Sequence, residues 1–166
     1  MRVVIILVSF FISIKLFAQD SVIRAKLNQI EKIPCTYLKH SADKQLYDNA
    51  FKFILERDTL AIPSLINLLL DTSFSKVKDL NTNTYYKKGD LAFILINYIE
   101  FVPFALITHS QWCMCCDCGN LPMYFLEYLD INRLEFQQKY KSYFISAERR
   151  KYIIQDSKKL KKKRNR

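Results

Sequence analysis

The sequence predicts an all-α protein, a compact helical array with one long inter-helix loop. Three observations lead there. Apolar residues recur at three- and four-residue spacing through most of the chain, while strict alternation is nowhere sustained. Only two glycines are present, Gly89 and Gly119, too few for phosphate-cradling loops or most turn-rich β architectures. The 23 aromatic residues (12 Phe, 10 Tyr, 1 Trp) supply the bulk a small helical core needs.

In chain order, Met1–Ala18 reads as a secretory signal peptide. Arg2 gives the positive start, Val3–Ile14 is a 12-residue apolar run, and Ala18 offers a small residue at the cut before Gln19. That run is well short of the ~20 residues a spanning helix requires, and Lys15 ends it, so the cleaved product is not membrane-spanning. Residues 19–157 then form a single α-helical domain, and 158–166 a basic tail. Ile23, Leu27 and Ile30 mark a first helix that stops before Pro34. Ser41 is placed to cap a second, with Leu46, Tyr47, Ala50, Phe51, Ile54 and Leu55 inward. A third follows Thr59, with Pro63 near its start, Ile62, Leu65, Ile66 and Leu69 inward, and Asp71 at its end.

Residues 72–88 break the rhythm. The stretch is polar and long for a connection, with room for a short extended piece around Val77 or Tyr85–Tyr86. Asp90 is placed to cap the next helix, Leu91–Val102, which is apolar almost all round and therefore central. Pro103 ends it. After a linker and the cysteines, Pro122 opens a helix over Met123–Ile145 with Phe125, Tyr128, Leu129, Phe136, Tyr140, Tyr143 and Phe144 on one side, and Asp130 at a break. Ser146 caps a last helix running to about Leu160.

The string Ile62-Pro63-x-Leu65-Ile66-x-Leu68-Leu69, then Asp71, Val77-Lys78, and Ala92, Ile96 and Ile99, resembles a HEAT-type helical repeat across Ala61–Ile99. About ten additional residues separate Lys78 from Gly89 relative to that pattern. The chain as a whole resembles small secreted helical proteins of Bacteroidetes-type bacteria. The resemblance implies HEAT-like helix pairs and a binding scaffold, and it carries over no catalytic residue. Paired amphipathic helices bury a continuous core only when further layers flank them, which the neighbouring helices must supply.

One string stands out chemically: Cys113-Met114-Cys115-Cys116-Asp117-Cys118. Clustered thiols are soft ligands for Cu(I) or Zn(II), and Cys113, Cys115, Cys116 and Cys118 form the candidate metal set. The spacing suits a structural zinc poorly, because such sites draw two cysteine pairs from separated segments. In an oxidising compartment the same residues, with Cys35, are disulfide candidates; five cysteines leave one unpaired, shared between chains or holding something. A Cys35 bridge to this loop closes about 80 residues and is worth ~4 kcal/mol if unstrained. No strand–helix–strand setting supports a thioredoxin-type use of these cysteines.

The other candidates are weaker. His109-Ser110 lacks a visible third partner for hydrolysis, so both residues read as cap or loop. His40 reads as exposed at a helix start. Glu127 and Asp130 share a helix face, where Arg133 forms a surface ion pair with Asp130. Two histidines exclude a three-histidine metal site.

Charge narrows the partners. The chain carries +10, yet residues 19–157 hold 17 basic against 16 acidic groups, and the last nine residues hold seven basic and no acidic ones. The body is near neutral, which disfavours nucleic acid, while the tail suits weak contact with an anionic surface. The function that follows is an exported scaffold, periplasmic or secreted, binding a protein partner at the envelope through the Thr72–Lys88 and Trp112–Asn120 loops. The competing class is a thiol protein holding a soft metal or exchanging disulfides through Cys113–Cys118. No cofactor and no catalytic residue is assigned.

Overall fold

The computed structural model describes residues 19–33, 48–79, 82–100, 102–110 and 121–151. The signal peptide, His40, Ser41, Trp112, the five cysteines and the basic tail all lie outside the described residues. Helix α1 covers 19–27, α2 Asn49–Leu55, a 3-10 turn Asp58–Ala61 and α3 Ile62–Leu68. Strands β1 (Phe74–Lys78) and β2 (Tyr85–Lys87) follow, then α4 (Lys88–Ile99), α5 (Phe104–Thr108), α6 (Met123–Ile145) and a helical stretch over 147–151.

The protein is therefore mostly helical but not all-α, because the expected long loop holds an antiparallel hairpin. Phe74-Ser75-Lys76-Val77-Lys78 alternates exposed and buried along its whole length. Five residues are too few to read as sustained alternation in a helical sequence, although Val77 and Tyr86 do form its buried side.

Helix α4 is the centre, with Leu91–Ile96 continuously buried, as its all-round apolar composition predicts. Phe93 lies among three other rings, 5.1 Å from Phe104, 5.0 Å from Phe125 and 5.7 Å from Phe136, centroid to centroid. Helix α3 packs along α4 through Ile62, Leu65, Ile66 and Leu68. Helix α2 adds Phe51, whose ring meets Tyr98 edge-on at 5.3 Å. Helix α1 buries Ile23 and Leu27, with Ile30 just beyond it, and is tied to α3 by Asp20, which accepts hydrogen bonds from Ser64 Oγ and Asn67 Nδ2.

Helix boundaries depart from expectation in several places: α4 ends at Ile99 rather than Val102, α5 occupies part of the expected linker, and two helix starts differ. Asp48 caps α2, its Oδ1 accepting from Ala50 N at 2.7 Å, so that helix begins well after Ser41. Helix α4 begins at Lys88, which puts Asp90 inside the first turn; its Oδ2 accepts from Lys87 N at 3.0 Å, half of a capping box. The first free amides of α4 are bonded instead by the preceding segment, Lys88 N to Ser73 O and Gly89 N to Asp71 O, both at 2.8 Å.

Helix α6 has the expected bounds and buries Phe125, Leu129, Arg133, Phe136, Tyr140 and Tyr143. Its break falls at Asn132 (φ −116°), not at Asp130, and Asn132 Nδ2 donates to Tyr128 O at 3.1 Å. Ser146 caps the last stretch by accepting from Arg149 N. Arg149 pairs with the half-buried Glu100 through Nε and Nη2, and Tyr140 Oη donates to the same carboxylate at 2.8 Å. Among the described residues no helix is long and apolar enough to cross a membrane.

Candidate functional site

The hairpin is the most elaborated polar feature, and its construction begins at the turn. Asp79 N donates to Thr84 O at 2.7 Å, and Asp79 O accepts from Asn83 N at 2.9 Å. Asn83 takes a positive φ of 59°, which asparagine tolerates better than most residues. The Asp79 carboxylate, almost fully buried, accepts from Thr82 Oγ1 at 2.8 Å. Burial, and after it the charge of Asp79, holds the Tyr86 phenol above the ordinary tyrosine value.

Phe74 pairs with Lys87 and Lys78 with Tyr85, so β1 spends four residues where β2 spends two, and a bulge lies between. Both ends keep the same facing. One face turns Ser75, Val77 and Tyr86 onto α4; the other carries Phe74, Lys76, Lys78, Tyr85 and Lys87. Each aromatic thus sits across the ladder from a lysine. Phe74 is 67% exposed and Tyr85 52%, and neither strand places an acid on that face. Lys76 reaches Glu31 at 3.5 Å and Lys87 reaches Asp130 at 2.6 Å, leaving Lys78 uncommitted among the described ion pairs.

A buried charge centre clamps this hairpin to the helices. Arg133 Nη2 donates to Asp90 Oδ1 at 2.7 Å and to Asp130 Oδ1 at 3.0 Å, and Nη1 donates to Leu69 O at 3.1 Å. The Arg133 and Asp90 side chains are 8% and 6% exposed. Burial raises Asp90 above the ordinary carboxylate value, against the pull of Arg133. At Asp130 burial acts the same way but is outweighed by hydrogen bonds from Lys87 and Arg133, and the group is lowered. The expected Arg133–Asp130 surface pair is therefore corrected. The contact exists, but Arg133 is an interior residue whose buried partner is Asp90, an arrangement that needs α4 and α6 to pack.

Gly89 closes the centre. A Cβ there would lie 2.4 Å from both Arg133 Nη1 and Leu69 O, and the carbonyl cannot swing aside. Gly89→Ala is expected to cost about 1–3 kcal/mol in a urea titration, the ordinary range for overpacking. Asp71, next to this junction, accepts from Ser73 N at 3.0 Å and from Arg24 Nη1 at 3.0 Å. Its partial burial is outweighed by the Ser73 hydrogen bonds, Lys88 and Arg24, so it sits below the ordinary 3.8. A lowered carboxylate stabilises above its unfolded value and loses that contribution as pH falls through the folded one. Wild type is thus expected to exceed Asp71→Asn in urea midpoint at about pH 6, with the gap shrinking by about pH 3.

The remaining sequence candidates separate. His109 ends α5 in the left-handed conformation (φ 56°), and Ser110 exchanges hydrogen bonds with Thr108, a cap and loop as read. With Leu106, Ile107, Gln138, Lys139, Ser142 and Tyr143, His109 lines an open groove of about 310 Å³. Ser142 Oγ there donates to Gln138 O, and Lys139 is held by Glu135 at 2.7 Å. Glu127 is exposed and does not pair with Asp130, which is turned to Lys87 and Arg133. The metal set Cys113, Cys115, Cys116 and Cys118, and the disulfide candidate Cys35, lie outside the described residues.

No protein family, curated protein or solved structure matches this chain.

Proposed function

We propose that this protein is an exported helical scaffold that binds a partner protein at the cell envelope, and that the outer face of the β1–β2 hairpin is its contact surface. The observation that carries the reading is the pairing of exposed Phe74 and Tyr85 with lysines on a sheet anchored from beneath by a buried ion centre. Exposed aromatics on a rigid support supply contact area at small entropic cost, and Lys78, outside the described ion pairs that hold Lys76 and Lys87, favours an acidic partner segment. The helix pair α3–α4, with the hairpin between its members, supports reading Ala61–Ile99 as a divergent HEAT-like unit. Export rests on the composition of Met1–Ala18. A cut before Gln19 keeps the bonds of Gln19 to Leu60 and of Asp20 to Ser64.

The test is fluorescence anisotropy with a labelled glutamate-rich peptide and the full processed chain. Phe74→Ala with Tyr85→Ala is expected to weaken binding about tenfold, and Lys78→Glu comparably. Removal of 158–166 is expected to change affinity by less than about threefold at physiological salt. Binding that disappears with the tail and ignores the hairpin variants contradicts the assignment.

The thiol reading rests on Cys113–Cys118 alone. Intact native mass with elemental analysis, before and after reduction, separates the two. Zinc or copper at fixed stoichiometry, lost when the thiols are blocked, replaces the scaffold reading with a metal one. A metal-free mass short by two hydrogens per bridge makes the cysteines staples.

A further inference from the structure

The outward side of α6 is independent of the hairpin and has a pattern of its own. Tyr124, Glu127, Ile131, Leu134, Gln138, Lys141 and Ile145 are all exposed, and their spacing alternates three and four. That is the seam spacing of paired helices, although the fold buries the opposite stripe of the same helix. Ile131 is 82% exposed, Leu134 57% and Ile145 71%, unusual for aliphatic residues collected on one stripe.

Charge along the stripe is ordered as well. Its first half carries Glu127 and its second half Lys141, and among the described ion pairs neither is committed. We propose that this stripe is where a second copy of the chain docks, with the two α6 helices antiparallel about a twofold axis near Leu134. Three features of the stripe fit that axis. Glu127 of one copy meets Lys141 of the other, twice per pair; Tyr124 meets Ile145; Leu134 meets itself. A parallel pairing would set Glu127 on Glu127 and Lys141 on Lys141, which repels. The Asn132 break falls between Ile131 and Leu134, and the exposed positions keep their three- and four-residue spacing on both sides of it. A twofold contact of this kind is self-complementary and closes without leading to filaments.

Sedimentation velocity of the full processed chain over a concentration series tests it. Wild type is expected to shift reversibly to twice the monomer mass in the micromolar range. Leu134→Glu is expected to remain monomeric, with a melting curve that matches wild type at concentrations where wild type is also monomeric, because the side chain is 57% exposed. Glu127→Lys is expected to weaken self-association about tenfold, and Glu127→Lys with Lys141→Glu to restore it to within about twofold. The restored pair keeps the test decisive should Leu134→Glu fold poorly. Wild type that is monomeric up to ~1 mM overturns the proposal. So does a dimer indifferent to Leu134→Glu, or one that the charge exchange fails to restore.

Discussion

Arg133→Ala is expected to destabilise the protein by about 3–5 kcal/mol, because it strands a buried carboxylate. Asp90, whose side chain is 6% exposed, would lose its bond to Arg133, and Leu69 O would lose the Arg133 donor. The measurement is a urea titration, with Asp90→Asn/Arg133→Met completing a double-mutant cycle. The double variant should cost clearly less than the sum of the single ones, because neither charge is left alone. The same variants report on the hairpin. Lys87 is bonded to Asp90 through its backbone and to Asp130 through its side chain, so amide exchange over 74–87 should accelerate more than exchange in α3.

Phe93→Ala is the second large effect, also about 3–5 kcal/mol. Phe93 touches Phe104 of α5 together with Phe125 and Phe136 of α6, and a truncated side chain leaves a void between three elements that cannot close on it at once. Phe93→Leu should recover more than half of the loss, since it refills most of the volume. Thermal melts of the three proteins check both values. Leu60→Ala, at a 73% exposed position, is the control and should move stability by less than about 0.5 kcal/mol.

The helices were legible because their signals are local. Pro63 and Pro122 mark starts, Asp71 and Pro103 follow ends, and the buried stripe of α6 repeats over enough turns to declare its period. Asp90 reads correctly as an acid at a helix start, but the helix begins three residues before the expected Leu91, at Lys88, where the amides of Lys88 and Gly89 are bonded by Ser73 and Asp71 carbonyls. The hairpin was legible as an interruption with a short extended piece around Val77 or Tyr85–Tyr86, and a strand lies at each of those places. Its strands are short, and the bulged pairing that joins them is not readable from either segment alone.

The ion centre left no local trace. Arg133 and Asp90 are 43 residues apart, and the nearer Asp130 offered a sufficient partner on one helix face. The one hint was Gly89 itself, a rare glycine at a helix start where no turn requires it, present because Arg133 and Leu69 occupy the space of a side chain. The outer hairpin face was within reach of the sequence. Phe74, Lys76 and Lys78 share a parity, as do Tyr85 and Lys87, but only the register shows that the two sets lie on one face.

The scaffold reading stands or falls on whether the hairpin touches another molecule in the producing cells. Photo-crosslinking residues placed singly at Phe74, Tyr85, Leu60 and Ile131 decide it. All four positions are exposed, so a surface that is merely sticky labels them alike. One adduct of discrete mass is expected from Phe74 and Tyr85, none from Leu60, and from Ile131 only a product of twice the chain mass. An adduct that forms equally from Leu60, or that never forms from the hairpin, contradicts the scaffold reading.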